Sequence, residues 1–123
     1  MNKKILIVDD EPALLNALVD KFTRAGFKVL IAENGQKGLE TAFENLPDII
    51  LLDIIMPVMD GLTMLYKLRK NNWGKRVKVI LLTNLSDPGK ITKPITDIVN
   101  GYLVKADWKI EDVVKQVKNK LAE

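Results

Sequence analysis

The apolar positions of this chain fall into two rhythms that alternate from end to end. Short, nearly unbroken runs lie at 4–8 (KILIV), 28–32 (KVLIA), 49–52 (IILL), 77–82 (VKVILL) and 101–104 (GYLV). Runs of this kind predict strands buried on both faces. Between them the apolar residues recur every three or four positions, the spacing of a helix with one inward stripe. The first stripe is Leu14, Leu15, Leu18, Val19 and Phe22, behind Pro12, which suits a first helical turn where its missing N–H has no partner to lose. Gly26 is placed to end that helix. Asn34-Gly35 predicts a turn, and a second helix follows with Leu39, Ala42, Phe43 and Leu46 inward and Pro47 as its stop. Asp60 is positioned to cap a third helix bearing Leu62, Leu65 and Leu68, and 71–74 (NNWG) reads as a loop. The last helix carries Ile110, Val113, Val114, Val117 and Leu121 inward, and Met56, Met59 and Met64 are expected in the core.

The segment 86–101, SDPGKITKPITDIVNG, breaks the pattern. Ser86 or Asp87 with Pro88 suits a helix start, but Pro94 falls where the interior should lie, and an interior proline costs roughly 3 kcal/mol. A short, kinked or displaced fourth helix is expected, either mobile or presenting an unusual partner surface. Five strand–helix units in succession predict an α/β fold: one doubly wound parallel sheet, helices on both faces, right-handed crossovers, and a single domain over 1–123.

The chain is organised around residues 48–61, DIILLDIIMPVMDG. Its most apolar strand runs straight into Asp53, and Pro57 cannot continue a ladder, so the strand ends at that carboxylate. Other strands end on polar residues too: Asp9 and Asp10 after the first, Thr83 after the fourth, Lys105 after the fifth. Ligands of open α/β sheets bind at the carboxyl ends of the strands, so these side chains are expected to meet at one edge.

Composition narrows the chemistry. With 47% hydrophobic and 28% charged residues the chain is an ordinary globule, and 123 residues suffice for one core. The net charge of +3 is mild and the lysines are spread out, which does not indicate a nucleic-acid face. There is no cysteine and no histidine, which excludes disulfides, thiol catalysis, Ser/His triads and His-based zinc sites. The N-terminal MNKKILIVDD is no signal peptide and no stretch reaches membrane-spanning length, so a cytoplasmic location is expected; the sequon at Asn84 is then a chance match. Two carboxylates about 4 Å apart repel by roughly 4 kcal/mol at an effective dielectric of 20, so three together call for a cation. Oxygen donors alone favour Mg²⁺, completed by water and phosphate oxygens. A carboxylate beside such an ion can attack phosphorus, with a lysine and a hydroxyl neutralising the transferred oxygens.

On Asp9-Asp10, Asp53 with Met56-Pro57 and Asp60-Gly61, Thr83, and Tyr102 with Lys105, the whole chain resembles a two-component response regulator receiver domain of the chemotaxis-regulator type. The resemblance implies a flavodoxin-like (βα)5 fold with strand order 2-1-3-4-5. It implies that Asp53 accepts a phosphoryl group from a phosphohistidine on a sensor histidine kinase or histidine phosphotransfer protein. Asp10, Asp53 and the backbone carbonyl of Ile55 would hold Mg²⁺, with Asp9 assisting through metal-bound water. Lys105 and Thr83 would contact the phosphoryl oxygens, and Thr83 and Tyr102 would switch the face built from the fourth helix, fifth strand and fifth helix. That face would serve a downstream effector, a fused output domain or a homodimer, without membrane or direct nucleic-acid contact. Such a domain catalyses only its own phosphorylation and dephosphorylation. A receiver-like interaction module that does not cycle phosphate is the alternative. A magnesium-dependent hydrolase of similar topology would want a second aspartate where Ile55 stands.

The chain departs from the family pattern in places. Ala106 replaces the usual proline after Lys105, so a trans bond is expected there, since a cis bond to a non-proline costs about 2.5–4 kcal/mol. Asn84 stands where a small residue is usual and narrows access to the phosphoryl group. Ile55 and Leu85 replace polar residues that orient the attacking water, which predicts a long-lived phosphoryl-aspartate. Glu11 is expected only to favour the N-terminus of the first helix, and Trp73 and Trp108 carry no assigned role.

Overall fold

The computed structural model describes residues 2–83, 92–105 and 109–123. The elements are β1 (Lys4–Val8), α1 (Pro12–Arg24), β2 (Lys28–Ala32), α2 (Gly35–Asn45), β3 (Ile49–Asp53), α3 (Gly61–Arg69), β4 (Lys78–Thr83), α4 (Lys93–Thr96), β5 (Gly101–Val104) and α5 (Ile110–Leu121). All strand pairs are parallel and the sheet order is β2-β1-β3-β4-β5, the order implied by the resemblance. The strand order reverses between β1 and β3, so the crevice at their carboxyl ends is where side chains from both converge.

Alternation along each strand divides the core in two. Leu6, Val8, Ile50, Leu52, Val79 and Leu81 pack against α2, α3 and α4. Ile5, Ile7, Ile49, Leu51, Ile80 and Leu82 pack against α1 and α5. Every residue of β3 is buried, the reason its sequence has no polar position before Asp53. Each large apolar side chain so buried contributes roughly 1.5–3 kcal/mol.

Local signals explain the element ends. Asp60 Oδ1 accepts from the Thr63 N–H at 2.8 Å and so caps α3 as expected. Gly26 takes φ +93° just beyond α1. The chain bends at Glu33–Asn34 as expected, and Asn34, in an extended conformation, also caps α2, its Oδ1 accepting from the Lys37 N–H at 2.9 Å. Phe43 and Leu46 are not inward. Both are exposed, Leu46 in a left-handed conformation that ends α2, while Phe43 meets Trp73 edge-on at 6.2 Å. β2 is an edge strand, so α2 has sheet beneath only part of its apolar stripe. α4 has four residues, with Pro94 in its first turn, where proline is tolerated. The expected start near Ser86–Pro88, the positions Asn84, Leu85 and Trp108, and the Lys105–Ala106 bond lie outside the described residues.

The end of the sheet opposite the acidic residues is fastened by polar groups. The Arg69 guanidinium donates to the carbonyls of Ile98, Gly74 and Val77 at 2.9, 2.7 and 2.6 Å. Burial pushes its pKa below the ordinary value. Asn100 exchanges two 2.8 Å hydrogen bonds with the Val79 backbone, fixing the entry to β5.

Candidate functional site

Asp9, Asp10 and Asp53 stand together at the carboxyl edge, with one oxygen of each within 4.8 Å of the others. They come from the turn after β1 and the last residue of β3, which are hydrogen-bonded neighbours. Asp9 and Asp53 are buried, whereas Asp10 opens to solvent. Asp9 is fixed from both sides: its N–H donates to Ala32 O at 3.1 Å and its Oδ1 accepts from the Glu11 N–H at 2.9 Å. Asp53 Oδ1 accepts from the Ile54 N–H at 2.9 Å.

Gly61 lets α3 begin against this site. A Cβ there would lie 1.9 Å from the Asp53 carbonyl oxygen, and the Gly61 N–H instead donates to Ile54 O at 2.8 Å. The loop between is tight. Pro57 O accepts from the Met59 N–H at 2.7 Å around Val58, whose φ is +68°. This is a γ-turn of the rarer, positive-φ kind, strained for a β-branched residue.

Lys105, just past β5, brings the positive charge. Its ammonium lies 2.9 Å from Asp9 Oδ2, 3.0 Å from Glu11 Oε1 and 3.6 Å from Asp53 Oδ1. Burial pushes its pKa down, but the Asp9 and Glu11 carboxylates and the Asp53 charge outweigh burial and hold it above the ordinary value. Asp53 moves the other way from most ion-paired aspartates. Burial and then the Asp9 charge, with a smaller push from Asp10, raise it from 3.8 to about 6, against the opposing pull of Lys105 and the Ile54 N–H.

The structure therefore brings together Asp9, Asp10, Asp53 and Lys105 as the sequence predicts. Thr83 is buried at the end of β4, one position beyond the residue paired with Asp53. Tyr102 lies on β5 opposite Leu81 and is 45% exposed, outside the crevice. Ile55 is 63% exposed in the loop after Asp53. Met56 and Met64 are core, and Met59 is partly buried against it. The residue the sequence reading undervalued is Glu11: it touches Lys105, 94 positions away, and only its adjacency to Asp9-Asp10 hinted at this.

Three carboxylates and one ammonium at the carboxyl edge of a doubly wound sheet make a pocket suited to a hard cation and a phosphate. The model of the response regulator receiver domain matches residues 5–118, and the chain belongs to that family, the signalling domains of two-component systems. It is 33% identical over 134 residues to the response regulator PleD of Caulobacter vibrioides, covering 99% of this chain and 30% of PleD. It is 35% identical over 118 residues to the transcriptional regulatory protein SrrA of Staphylococcus aureus, covering 96% of this chain and 47% of SrrA. The chain thus spans less than half the length of either relative. Among solved structures it resembles the chemotaxis response regulator CheY4 of Vibrio cholerae, with a TM-score of 0.87, 27% identity, and 98% and 99% of the two chains covered. Among the described residues no helix is long and apolar enough to cross a membrane.

Proposed function

We propose that this chain is a phospho-accepting switch in which Asp53 takes a phosphoryl group from a phosphohistidine of a sensor kinase or histidine phosphotransfer protein. The observation that carries the reading is the gathering of Asp9, Asp10 and Asp53 within 4.8 Å, with the Lys105 ammonium 3.6 Å from Asp53 Oδ1. The donor set is all oxygen, and Asp9 Oδ2 is buried without a hydrogen bond, held by the Lys105 ion pair alone among the described groups. Such a set fits Mg²⁺, held by Asp10, Asp53 and the Ile55 carbonyl with Asp9 assisting. When bound, the ion neutralises carboxylate and phosphoryl charge so that the two can approach.

The chain's own groups do the rest. An Asp53 carboxylate oxygen attacks phosphorus in line with the leaving imidazole; the new O–P bond forms as the N–P bond breaks, and the imidazole keeps the electron pair and takes a proton from water. Lys105 donates to one phosphoryl oxygen and the Thr83 hydroxyl to another. The phosphorylated side chain carries close to two negative charges, drawing Thr83 toward it. Tyr102 turns inward behind Thr83, and the surface of α4, β5 and α5 changes for an effector, a linked output domain or a second copy. The chain catalyses no reaction beyond its own phosphorylation and dephosphorylation.

Intact mass after incubation with Mg²⁺ and acetyl phosphate tests this. One added phosphoryl group on the wild type and none on Asp53→Asn is expected. No adduct on the wild type, with the beryllofluoride complex also failing to form, would replace this reading with a non-cycling interaction module.

A further inference from the structure

Among the described residues, Glu11 has the one carboxylate that reaches the Lys105 ammonium from outside the buried cluster. Lys105 Nζ lies 3.0 Å from Glu11 Oε1 and 2.9 Å from Asp9 Oδ2, but 3.6 Å from Asp53 Oδ1, beyond hydrogen-bond range. The ammonium is therefore drawn toward the β1–α1 turn and away from Asp53. Glu11 is held in place to do this. Its N–H donates to Asp9 Oδ1 at 2.9 Å, and its carbonyl accepts from the Leu15 N–H at 3.0 Å as the first bond of α1. Glu11 does not cap α1 with its side chain; its carboxylate reaches the ammonium instead.

The three carboxylates around Lys105 differ in what each can do next. Asp9 is wholly buried and Asp53 nearly so, and neither can leave without exposing the other's charge. Glu11 has 51% of its side chain in water, so its release costs little. A phosphoryl group on Asp53 brings close to two negative charges into the same crevice, and an ammonium that closes the 3.6 Å gap to meet it draws away from Glu11, on its opposite side.

We infer that Glu11 is a positioning residue: it detains the Lys105 ammonium in the unmodified protein and yields it to the incoming phosphoryl group, so the Glu11–Lys105 pair sets how readily the acceptor is loaded. This rests on the phospho-accepting reading, and the experiment separates the two. Beryllofluoride affinity, by fluorescence titration at saturating Mg²⁺, and the acetyl phosphate labelling rate, by intact mass, are measured for wild type, Glu11→Gln, Glu11→Asp and Asp53→Asn. Glu11→Gln removes the charge. Glu11→Asp keeps the charge but shortens the reach by one methylene, so a response in both variants tracks contact with Lys105 rather than the local field.

Both Glu11 variants are expected to bind beryllofluoride roughly two- to five-fold more tightly, the worth of a half-exposed ion pair, and to label faster by a similar factor. The gain should shrink at 1 M salt, which screens the pair in the wild type. If both variants match the wild type while it is labelled at Asp53, the role assigned to Glu11 is wrong and the acceptor reading stands. A gain confined to Glu11→Gln also overturns it, because the field and not the contact would be responsible. If the wild type takes neither label nor beryllofluoride, the acceptor reading fails and the role of Glu11 with it.

Discussion

Lys105 lies closer to Asp9 than to Asp53: its ammonium is 2.9 Å from Asp9 Oδ2 and 3.6 Å from Asp53 Oδ1, with 7% of the lysine side chain and none of the Asp9 side chain exposed. In the metal-free protein this cation is what makes two buried carboxylates tolerable. Lys105→Met is therefore expected to destabilise the chelator-treated domain by about 3 kcal/mol, the cost of leaving buried charge unpaired. Added Mg²⁺ should return much of that loss by binding the folded state. Urea unfolding with and without Mg²⁺ checks both; an unchanged midpoint in chelator would mean that water already compensates the carboxylates.

The second expectation concerns pH. Asp53 is raised to about 6 from 3.8, so between those values the folded protein holds a proton that the unfolded chain has lost. Metal-free stability should then fall as pH rises through that window and stay lower above it. At pH 7.5 in chelator, Asp53→Asn should be the more stable protein by on the order of 2 kcal/mol, and at pH 4 the two should converge. Parallel stability curves for the two proteins across that range would refute this.

How much of this could be read from sequence depends on which physics is local. The strands were legible because burial on both faces demands an unbroken apolar run, as in Ile49–Leu52. Asp9, Asp10, Asp53, Thr83 and Lys105 were legible because each follows such a run. At Asn34 the turn was legible but the cap was not, because the same side chain serves turns and helix caps and only the Lys37 N–H shows the second role. Phe43 and Leu46 were misread because a helical stripe does not say how much sheet lies beneath it. Glu11 was undervalued because its partner is brought to it only by the order of β1 and β5 in the completed sheet.

The turn after Asp53 offers a separate test. Val58 sits at φ +68°, where a β-branched side chain is strained, and the side chain is exposed. Val58→Gly should relieve about 1–2 kcal/mol of strain, partly offset by the greater freedom of glycine in the unfolded chain. A net gain of about 1 kcal/mol, or roughly 4 °C in Tm, is expected by calorimetry. A lower Tm would show that the valine side chain contributes more through contact than its backbone costs.

The lifetime of the phosphorylated state is the fourth. Ile55 is exposed in the loop after Asp53, and its side chain offers no group to hold a water. With Leu85 equally apolar in the sequence, hydrolysis of the phosphoryl-aspartate should be slow. An Ile55→Asn, Leu85→Glu variant should lose its phosphoryl group faster than the wild type, followed by intact mass after the donor is removed. Slower decay in the variant would contradict the argument.

The fastening of β5 has a mechanical consequence. Asn100 pins the start of this strand to Val79, and Arg69 ties the preceding Ile98 to the loop beyond α3, while the far end carries Val104 and then Lys105. One extremity is tethered, and the other leads to the Lys105 charge beside Asp9 and Asp53. Were Lys105 drawn toward Asp53, the tether at Asn100 would oppose sliding of β5 in its register, so displacement is expected to be largest at the acidic edge and smallest at Asn100.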